Sequence, residues 1–183
     1  MLLAAGAGTR YGTPKALVDT GDGPWVLRAL SALPACEPLI VVVGARADEV
    51  IGLLPAGVTA VRNDDYRRGM GTSLRLGLRA LPACDAALVM LVDLPDVGEP
   101  VVRRIVNAAG PPVPARAALV RATYMGRPGH PVLIGRDHWP GVVATATGDE
   151  GARGYFRDHP PVSIECGDLA TGRDVDRPPD KPS

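Results

Sequence analysis

The residues best suited to chemistry stand near the start of the chain, where a short apolar stretch runs into a glycine-rich loop. Residues 2–17 read L-L-A-A-G-A-G-T-R-Y-G-T-P-K-A-L, with three glycines and two cations: Gly6, Gly8, Gly12, Arg10 and Lys15. Glycines let backbone N–H groups approach a phosphate chain because no Cβ intervenes. The arginine can bind phosphate oxygens as a fork and the lysine as a point charge. The loop therefore predicts a phosphate-binding site, with a plain strand-turn and incidental glycines as the alternative.

Two common phosphate-binding patterns do not fit this loop. The third glycine falls one residue too late for the dinucleotide fingerprint G-x-G-x-x-G, and no Gly-Lys-Ser/Thr sequence follows to complete a Walker motif. An NAD-dependent oxidoreductase is therefore disfavoured on the sequence alone.

A carboxylate, Asp93, directly follows the most apolar run of the chain, residues 86–92. Open α/β sheets bind their ligands at the carboxyl ends of their strands, which is where this side chain is expected. Asp96, with Glu99 three residues later, predicts a capping-box start for the next helix. The Asp93 carboxylate is then free to bind a hard cation such as Mg²⁺ beside substrate phosphates. A structural aspartate is the alternative.

These groups must be positioned by elements that the apolar pattern predicts. Residues 39–43 and 86–92 are continuous apolar runs, as expected of strands buried on both faces. Helical spacing marks 24–33, 47–54, 72–81 and 100–109, and shorter strands are predicted at 1–4, 58–62, 117–122, 131–134 and 162–166. Alternation of strands and helices indicates an α/β fold with a mostly parallel sheet. The linker-like stretch 110–114 is too short to separate domains, so residues 1–183 are expected to form one domain.

Composition argues against several classes of partner. Twenty basic residues balance twenty acidic ones, and only 4% of residues are aromatic, so we expect no nucleic-acid partner. The longest apolar run is too short to cross a bilayer, so we expect no membrane partner. Three widely spaced cysteines, with no C-x-x-C pair and no signal peptide, favour a reducing, cytoplasmic location over a zinc site or a disulfide framework.

The glycine-rich stretch also resembles a known family signature. Residues 3–17, L-A-A-G-x-G-x-R-x-G-x-P-K-x-L, are similar to the opening motif of the MobA-like nucleotidyltransferases, which include molybdenum cofactor cytidylyltransferase and the molybdopterin-guanine dinucleotide enzyme. Four later segments match in order: 63–78 (N-D-D-Y-R-R-G-M-G-T-S-L-R-L-G-L), 90–95 (M-L-V-D-L-P), 127–133 (R-P-G-H-P-V-L) and 148–153 (G-D-E-G-A-R). A weaker match, D-V-D-R-P-P-D, covers 174–180. The resemblance implies a Rossmann-like nucleotidyltransferase fold, a three-layer αβα sandwich with one antiparallel strand in the sheet.

The same resemblance implies roles for particular residues. Arg10, Lys15 and Asp93 would be catalytic. Asp93 would be the main Mg²⁺ ligand and Asp176 the second, with a surface carboxylate as an equal alternative for Asp176. The nucleotide would contact Leu3, Ala4, Ala5, Gly6, Ala7, Gly8, Thr9, Gly12, Asn63, Gly71 and Ser73. The acceptor side would contain His130, Asp149 and Glu150.

Several of these residues also have a simpler structural interpretation. Either Thr72 or Ser73 is needed to cap the third helix, which leaves the other to read a nucleobase. Asparagine at a strand end, such as Asn63, is often turn chemistry. A lone histidine such as His130 is more often structural than catalytic. Asp149 is also placed to cap a helix.

The sequence therefore predicts a Mg²⁺-dependent enzyme that moves a nucleoside monophosphate from a nucleoside triphosphate to a phosphorylated small molecule and releases pyrophosphate. Similarity of the G-M-G-T-S segment to the cytidylyltransferase branch favours CTP, with GTP as the alternative, and a molybdopterin-type acceptor. Sugar or polyol phosphates and phospho-acids are other acceptors used within this fold. A non-catalytic nucleotide sensor is the alternative from another class of protein.

Overall fold

The structure, a computed structural model, describes residues 1–34, 36–110 and 114–177. Its strands are β1 Leu2–Ala4, β2 Ile40–Val43, β3 Thr59–Arg62, β4 Ala86–Leu91, β5 Leu119–Tyr124, β6 Arg127–Gly135 and β7 Val162–Glu165. Its α-helices are α1 Trp25–Ser31, α2 Ala47–Leu53, α3 Met70–Ala80, α4 Glu99–Ala108, α5 Trp139–Thr145 and α6 Arg153–Asp158. Short 3₁₀ helices, such as Lys15–Leu17 and Gly148–Glu150, connect several of them.

The described strands form one seven-stranded sheet in the order β3-β2-β1-β4-β6-β5-β7. β1 lies parallel to β2 and β4, and β2 lies parallel to β3. β6 is antiparallel to both of its neighbours, β4 and β5, whereas β5 and β7 are parallel. The prediction of one antiparallel strand in an otherwise parallel sheet is confirmed.

Helices cover both faces of the sheet, as the prediction of a three-layer αβα sandwich requires. On one face α1, α2 and α4 pack against the sheet, with Val26, Val50 and Ile105 fully buried. On the other face α3 and α5 do so through Leu78 and Val142. Each continuous apolar run serves both layers because successive side chains of a strand point to opposite faces.

Strand β2 shows this division of one run between two cores. Val41 and Val43 are buried in the first layer and Val42 in the second. The absence of alternation in the sequence therefore reports burial on both faces, as expected for central parallel strands.

Three predicted helix starts are wrong. In each case the residue predicted to cap the helix is not its N-cap, and another residue takes that position. Helix α4 begins at Glu99 with Gly98 as its cap, because the Asp96 carboxylate instead accepts two hydrogen bonds of 2.6 Å from the backbone N–H and hydroxyl of Thr171. Helix α3 begins at Met70, with Gly69 as its cap at φ 103°. Thr72 and Ser73 both lie inside that helix.

The third wrong start concerns the segment after α5. Residues Gly148–Glu150 form a 3₁₀ turn, and α6 begins only at Arg153 with Ala152 as its cap, so Asp149 caps no helix. The intervening Gly151 has φ 56°, a left-handed conformation that ends the turn before a helix can continue.

Other elements differ from the prediction in extent. Strand β6 covers nine residues instead of four, because Arg127 and Pro128 continue the pairing with β5 beyond the predicted apolar residues. Helix α5 was not predicted, since its apolar pattern is short. Residues 111–113 of the linker-like stretch and residues 178–180 of the last matching segment lie outside the described residues. Among the residues described, no helix is both long and apolar enough to span a bilayer.

Candidate active site

The glycine-rich loop and Asp93 meet because their strands are neighbours. β1 and β4 run side by side and parallel, so the loop that follows β1 and the residue that follows β4 lie at the same edge of the sheet. The chain order of the strands also reverses at this pair, since β2 and β3 extend to one side of β1 and β4 lies on the other. Such a switch point is where open α/β sheets form their ligand crevice.

Two of the loop glycines play different parts. Gly8 has φ +59°, and a Cβ on it would lie 1.8 Å from the carbonyl oxygen of Thr13. Its own carbonyl accepts hydrogen bonds from the N–H groups of Tyr11 and Gly12, at 2.9 and 2.8 Å. A Cβ on Gly6 would meet no atom within 4 Å. Gly8 is therefore required by the tight turn, whereas Gly6 leaves open space beside the cavity.

Three carboxylates converge at this edge of the sheet. Asp93 comes from the end of β4, and Asp174 and Asp176 come from the C-terminal segment. One oxygen from each lies within 4.8 Å of the others. The backbone N–H of Val175 donates to the carbonyl of Asp93 at 3.1 Å, which ties the segment to the strand end. Asp174 and Asp176 lie far from the rest of the site in the sequence. Tertiary packing therefore brings the cluster together.

Two cations from the glycine-rich loop neutralise part of this cluster. The Lys15 ammonium donates to Asp93 Oδ2 at 2.9 Å and to Asp176 Oδ1 at 2.7 Å. Arg10 forms an ion pair with the other oxygen of Asp176. Burial alone lowers the pKa of Lys15, but its hydrogen bonds and charge interactions with Asp176 and Asp93 outweigh burial and raise the pKa above its usual value. The hydrogen bond from Lys15 also lowers the pKa of Asp176, so both groups are charged at neutral pH.

The cluster fits a divalent cation. Asp93 Oδ1 is buried and has no hydrogen-bond partner among the described residues. An orphaned buried carboxylate oxygen is costly, and a metal ion would supply the missing partner. Carboxylate oxygens are the ligands that hard cations such as Mg²⁺ and Mn²⁺ take. Asp93, Asp174 and Asp176 are therefore the residues suited to hold a metal.

A cavity of about 570 Å³ opens between the loop, the carboxylates and the start of α3, which is large enough for a nucleotide-sized ligand. Its walls contain most of the residues that the sequence predicted for this site: Leu3, Ala5, Gly6, Ala7, Gly8, Thr9, Arg10, Lys15, Ser73, Asp93 and Asp176. The structure thus brings the predicted catalytic and phosphate-binding residues to one cavity.

Four residues predicted to contact the nucleotide do not line that cavity: Ala4, Gly12, Asn63 and Gly71. The buried Asn63 amide donates to Thr72 Oγ1 at 2.9 Å and to Ser73 Oγ at 2.8 Å, so it fixes the first turn of α3. A Cβ on Gly71 would lie 2.8 Å from the backbone nitrogen of Thr147. Asn63 therefore positions Ser73, and Gly71 allows α3 to pack closely against the backbone at Thr147.

A second cavity of about 310 Å³ adjoins the first and shares Leu3, Asp93 and Asp174 with it. His130 and Glu150, which were both predicted for the acceptor side, line the second cavity. Asp149 lines the first cavity instead, because the turn Gly148–Glu150 directs adjacent residues to different sides.

His130 is neutral at physiological pH. Burial lowers its pKa to about 4, although the charge of Asp93 acts in the opposite direction. The phenol of Tyr124 donates to the backbone carbonyl of His130 at 2.7 Å, which fixes the strand at this position. An uncharged imidazole can bind a ligand by hydrogen bonding but does not neutralise an acceptor phosphate.

The sequence did not single out several residues that line the two cavities. Asp174 is the third member of the carboxylate cluster, and its signal was the D-x-D spacing with Asp176. Tyr66 lines the first cavity from the turn before α3, and Arg121 lines the second from β5. An arginine in a strand carries no sequence signal for a binding site.

The fold and this combination of glycine-rich loop, cations and carboxylates define a nucleotidyltransferase. The chain belongs to the family of the MobA-like NTP transferase domain, whose model matches residues 1–162. The resemblance predicted from the sequence motifs is confirmed. Membership implies a nucleoside triphosphate as one substrate and a small molecule as acceptor, and the family generally uses a divalent metal.

Individual relatives cover nearly the whole chain. Nicotine blue oxidoreductase of Paenarthrobacter nicotinovorans is 36% identical over 186 aligned residues, which cover 96% of this chain and 90% of that protein. The crystal structure of an Rv0371c homologue from Mycobacterium sp. strain JC1 is similar with a TM-score of 0.82 at 26% identity, covering 96% of this chain and 88% of the other. Rv0371c of Mycobacterium tuberculosis H37Rv, crystallised in complex with manganese, has a TM-score of 0.74 at 27% identity over 95% and 91% of the chains.

Proposed function

We propose that this enzyme transfers a nucleoside monophosphate from a nucleoside triphosphate to a phosphorylated small molecule, with Mg²⁺ as its metal, and releases pyrophosphate. The observation that carries the proposal is the convergence of Asp93, Asp174 and Asp176 on the glycine-rich loop. A triphosphate in the first cavity would then lie between a metal site and two loop cations.

The chemistry needs positioning and charge neutralisation more than acid–base catalysis. An oxygen of the acceptor phosphate attacks the α-phosphorus, a new P–O bond forms, and the bond to the β-phosphate bridging oxygen breaks with pyrophosphate leaving. The acceptor phosphate is already an anion, so the enzyme needs no general base. A metal held by Asp93, Asp174 and Asp176 supplies positive charge to the phosphate oxygens. Backbone N–H groups around Gly6 and Gly8 are suited to hold the phosphate chain.

Arg10 and Lys15 change partners in this proposal. Among the described residues they form ion pairs with Asp176 and Asp93, so the three carboxylates and these two cations together carry one excess negative charge. A divalent cation reverses that balance from one excess negative charge to one excess positive charge. Lys15 and Arg10 are then free to donate to the triphosphate as negative charge develops on the leaving group.

The identities of the nucleotide and of the acceptor are proposed from the lining of the two cavities and from the family resemblance. Ser73 lines the first cavity and is held by Asn63, which supports a role in contacting the base. The similarity of the G-M-G-T-S segment to the cytidylyltransferase branch favours CTP, with GTP as the alternative. A molybdopterin-type acceptor follows from the family resemblance, and sugar phosphates, polyol phosphates and phospho-acids remain alternatives. The second cavity, beside Asp93, is where such an acceptor would bind. We propose a cytoplasmic location for the reaction.

A screen of pyrophosphate release tests this proposal. The purified protein is incubated with each of the four NTPs, with Mg²⁺ or Mn²⁺, and with molybdopterin, sugar phosphates or phospho-acids. We expect release with one NTP–acceptor pair and its loss in Asp93→Asn. If calorimetry showed no binding of any NTP in the presence of either metal, the proposal would be wrong. Binding without release across the whole panel would instead support the non-catalytic sensor.

The name of the 36% identical relative, nicotine blue oxidoreductase, favours a second candidate, an oxidoreductase. A nicotinamide dinucleotide is the redox partner that we propose to test. The pyrophosphate of a dinucleotide has the same chemistry as the phosphates that the glycine-rich loop is suited to bind. Oxidation of NADH or NADPH in the presence of nicotine blue separates this candidate from nucleotidyl transfer, and its loss in Gly6→Ala would show that the dinucleotide binds at the loop. Dinucleotide oxidation without pyrophosphate release from any NTP would establish the second candidate over the first.

A further inference from the structure

The second cavity is lined mainly by apolar side chains from the sheet and from α3 and α6. They are Leu3, Leu74, Val89, Leu91, Leu94, Val132, Ile134 and Phe156. Two arginines also line it: Arg121, half-buried in β5, and Arg153, exposed at the start of α6. The cavity therefore offers an apolar body in which Arg121 is the half-buried cation, as small-molecule sites commonly do.

Arg121 has no hydrogen-bond or ion-pair partner for its side chain among the residues that the structure describes. Its Nε is buried and has no hydrogen-bond partner among the described residues. None of the ion pairs between described residues includes it. A β-bulge separates it from Thr123, and bulges beside binding sites redirect side chains. A half-buried guanidinium with an unsatisfied donor is costly unless a ligand completes it.

The strand register places Arg121 away from the carboxylate cluster. Arg121 pairs with Val132, and Val132 pairs with Val89, which lies four residues before Asp93. At about 3.3 Å per residue, the backbone of Arg121 lies roughly 13 Å from that of Asp93 along the strand direction. Two strand spacings add a separation of roughly 10 Å across the sheet. Allowing for the reach of both side chains, the guanidinium lies on the order of 10 Å from the Asp93 carboxylate.

We propose that Arg121 binds a second anionic group of the acceptor, distant from its reacting phosphate, with the apolar walls holding the body between the two. This inference rests on the proposed function for the position of the reacting phosphate at the carboxylate cluster. The substrate class is an amphipathic acceptor with a phosphate at one end and a carboxylate or second phosphate at the other. Such a molecule would span both Asp93 and Arg121 within one cavity.

A binding cycle with two probes tests the role of Arg121. The probes are 6-phosphonooxy-2-naphthoate and 2-naphthyl phosphate, which differ only in the distal carboxylate. Each is titrated calorimetrically into wild type, Arg121→Met and the control Arg79→Met, whose arginine is exposed on α3 and lies outside the cavity. Hydrogen bonds to a charged group correspond to about tenfold or more in affinity.

Wild type and Arg79→Met should bind the carboxylate-bearing probe about tenfold or more tightly than the other, and Arg121→Met should bind both equally. Equal binding by wild type, or a carboxylate preference that persists in Arg121→Met, would overturn the inference. Arg121→Met should fold because it loses no hydrogen bond; if it does not, Arg121→Gln carries the same test. Nucleotide binding, measured on the same samples, tests the proposed function separately from the role of Arg121. If no nucleotide binds but the preference for the carboxylate-bearing probe is intact, only the proposed function is overturned.

Discussion

Replacing Asp93 with Asn removes one negative charge from the carboxylate cluster while keeping the size of the side chain. In the absence of metal the substitution loses the ion pair with Lys15, whose ammonium keeps its 2.7 Å hydrogen bond to Asp176. It also relieves repulsion between Asp93 and the other two carboxylates. Because these effects oppose each other and the group is only partly buried, we expect a stability within about 1 kcal/mol of wild type.

In the presence of metal the same substitution should have a much larger effect. A cation at one hundred times its dissociation constant stabilises the folded state by about 2.7 kcal/mol. For a chain of this size that raises the melting temperature by about 5–10 °C. Removing a group that hydrogen-bonds to a metal ligand can lower metal affinity by up to roughly a hundredfold. Loss of a ligand itself should weaken metal binding at least as much. At the same metal concentration Asp93→Asn would then gain only about 0.4 kcal/mol, or about 1–2 °C.

The assay is a pair of thermal melts, with and without Mn²⁺ or Mg²⁺, on wild type, Asp93→Asn and a matched control. Asp137→Asn is the control, because Asp137 pairs with Arg116 on the surface and lies outside the cluster. The control should retain the full metal-dependent shift. An equal shift in Asp93→Asn and wild type would refute the metal assignment, and with it the proposed role of the cluster in catalysis.

Four further substitutions test the loop, the cation and the β7 end of the sheet. Gly8→Ala should lower the melting temperature because its Cβ would meet Thr13, whereas Gly6→Ala should leave it unchanged and weaken nucleotide binding; equal melting temperatures would contradict this. Lys15→Met should lose about 1–3 kcal/mol of stability in metal-free buffer and recover part of it with Mn²⁺, as thermal melts can show; no loss would contradict the pairing. The pKa of Glu165 is lowered to about 2 by backbone hydrogen bonds from Gly126, Gly167 and Met125. The ionised Glu165 carboxylate therefore stabilises the folded state fully above about pH 4.5, and this stabilisation is lost as pH falls toward 2. Glu165→Gln should flatten the acid limb of a curve of stability against pH. An unchanged limb would contradict this.

Much of the fold was predictable because its signals are local. Apolar runs without alternation marked β2 and β4, whose side chains divide between two cores. Helical apolar spacing located α1 to α4 to within a few residues. The wrong start of α4 has a non-local cause, because its predicted capping side chain is recruited by a distant partner. Asp96 binds Thr171, 75 residues away, and no local pattern indicates such a contact.

The sequence by itself determined which chemistry is predicted for the site. A loop in which Gly8 must turn sharply, two cations beside it and a carboxylate after a buried strand are local features, so their spacing is sufficient to predict phosphate and metal binding. Tertiary structure decided which carboxylates complete the site and how the two cavities divide. Asp174 and Asp176 reach Asp93 only through pairing of the C-terminal segment with the end of β4, and Arg121 faces the second cavity only through the register of β5 on β6. These contacts join residues far apart in the chain, and their free energy comes from packing that no single segment encodes.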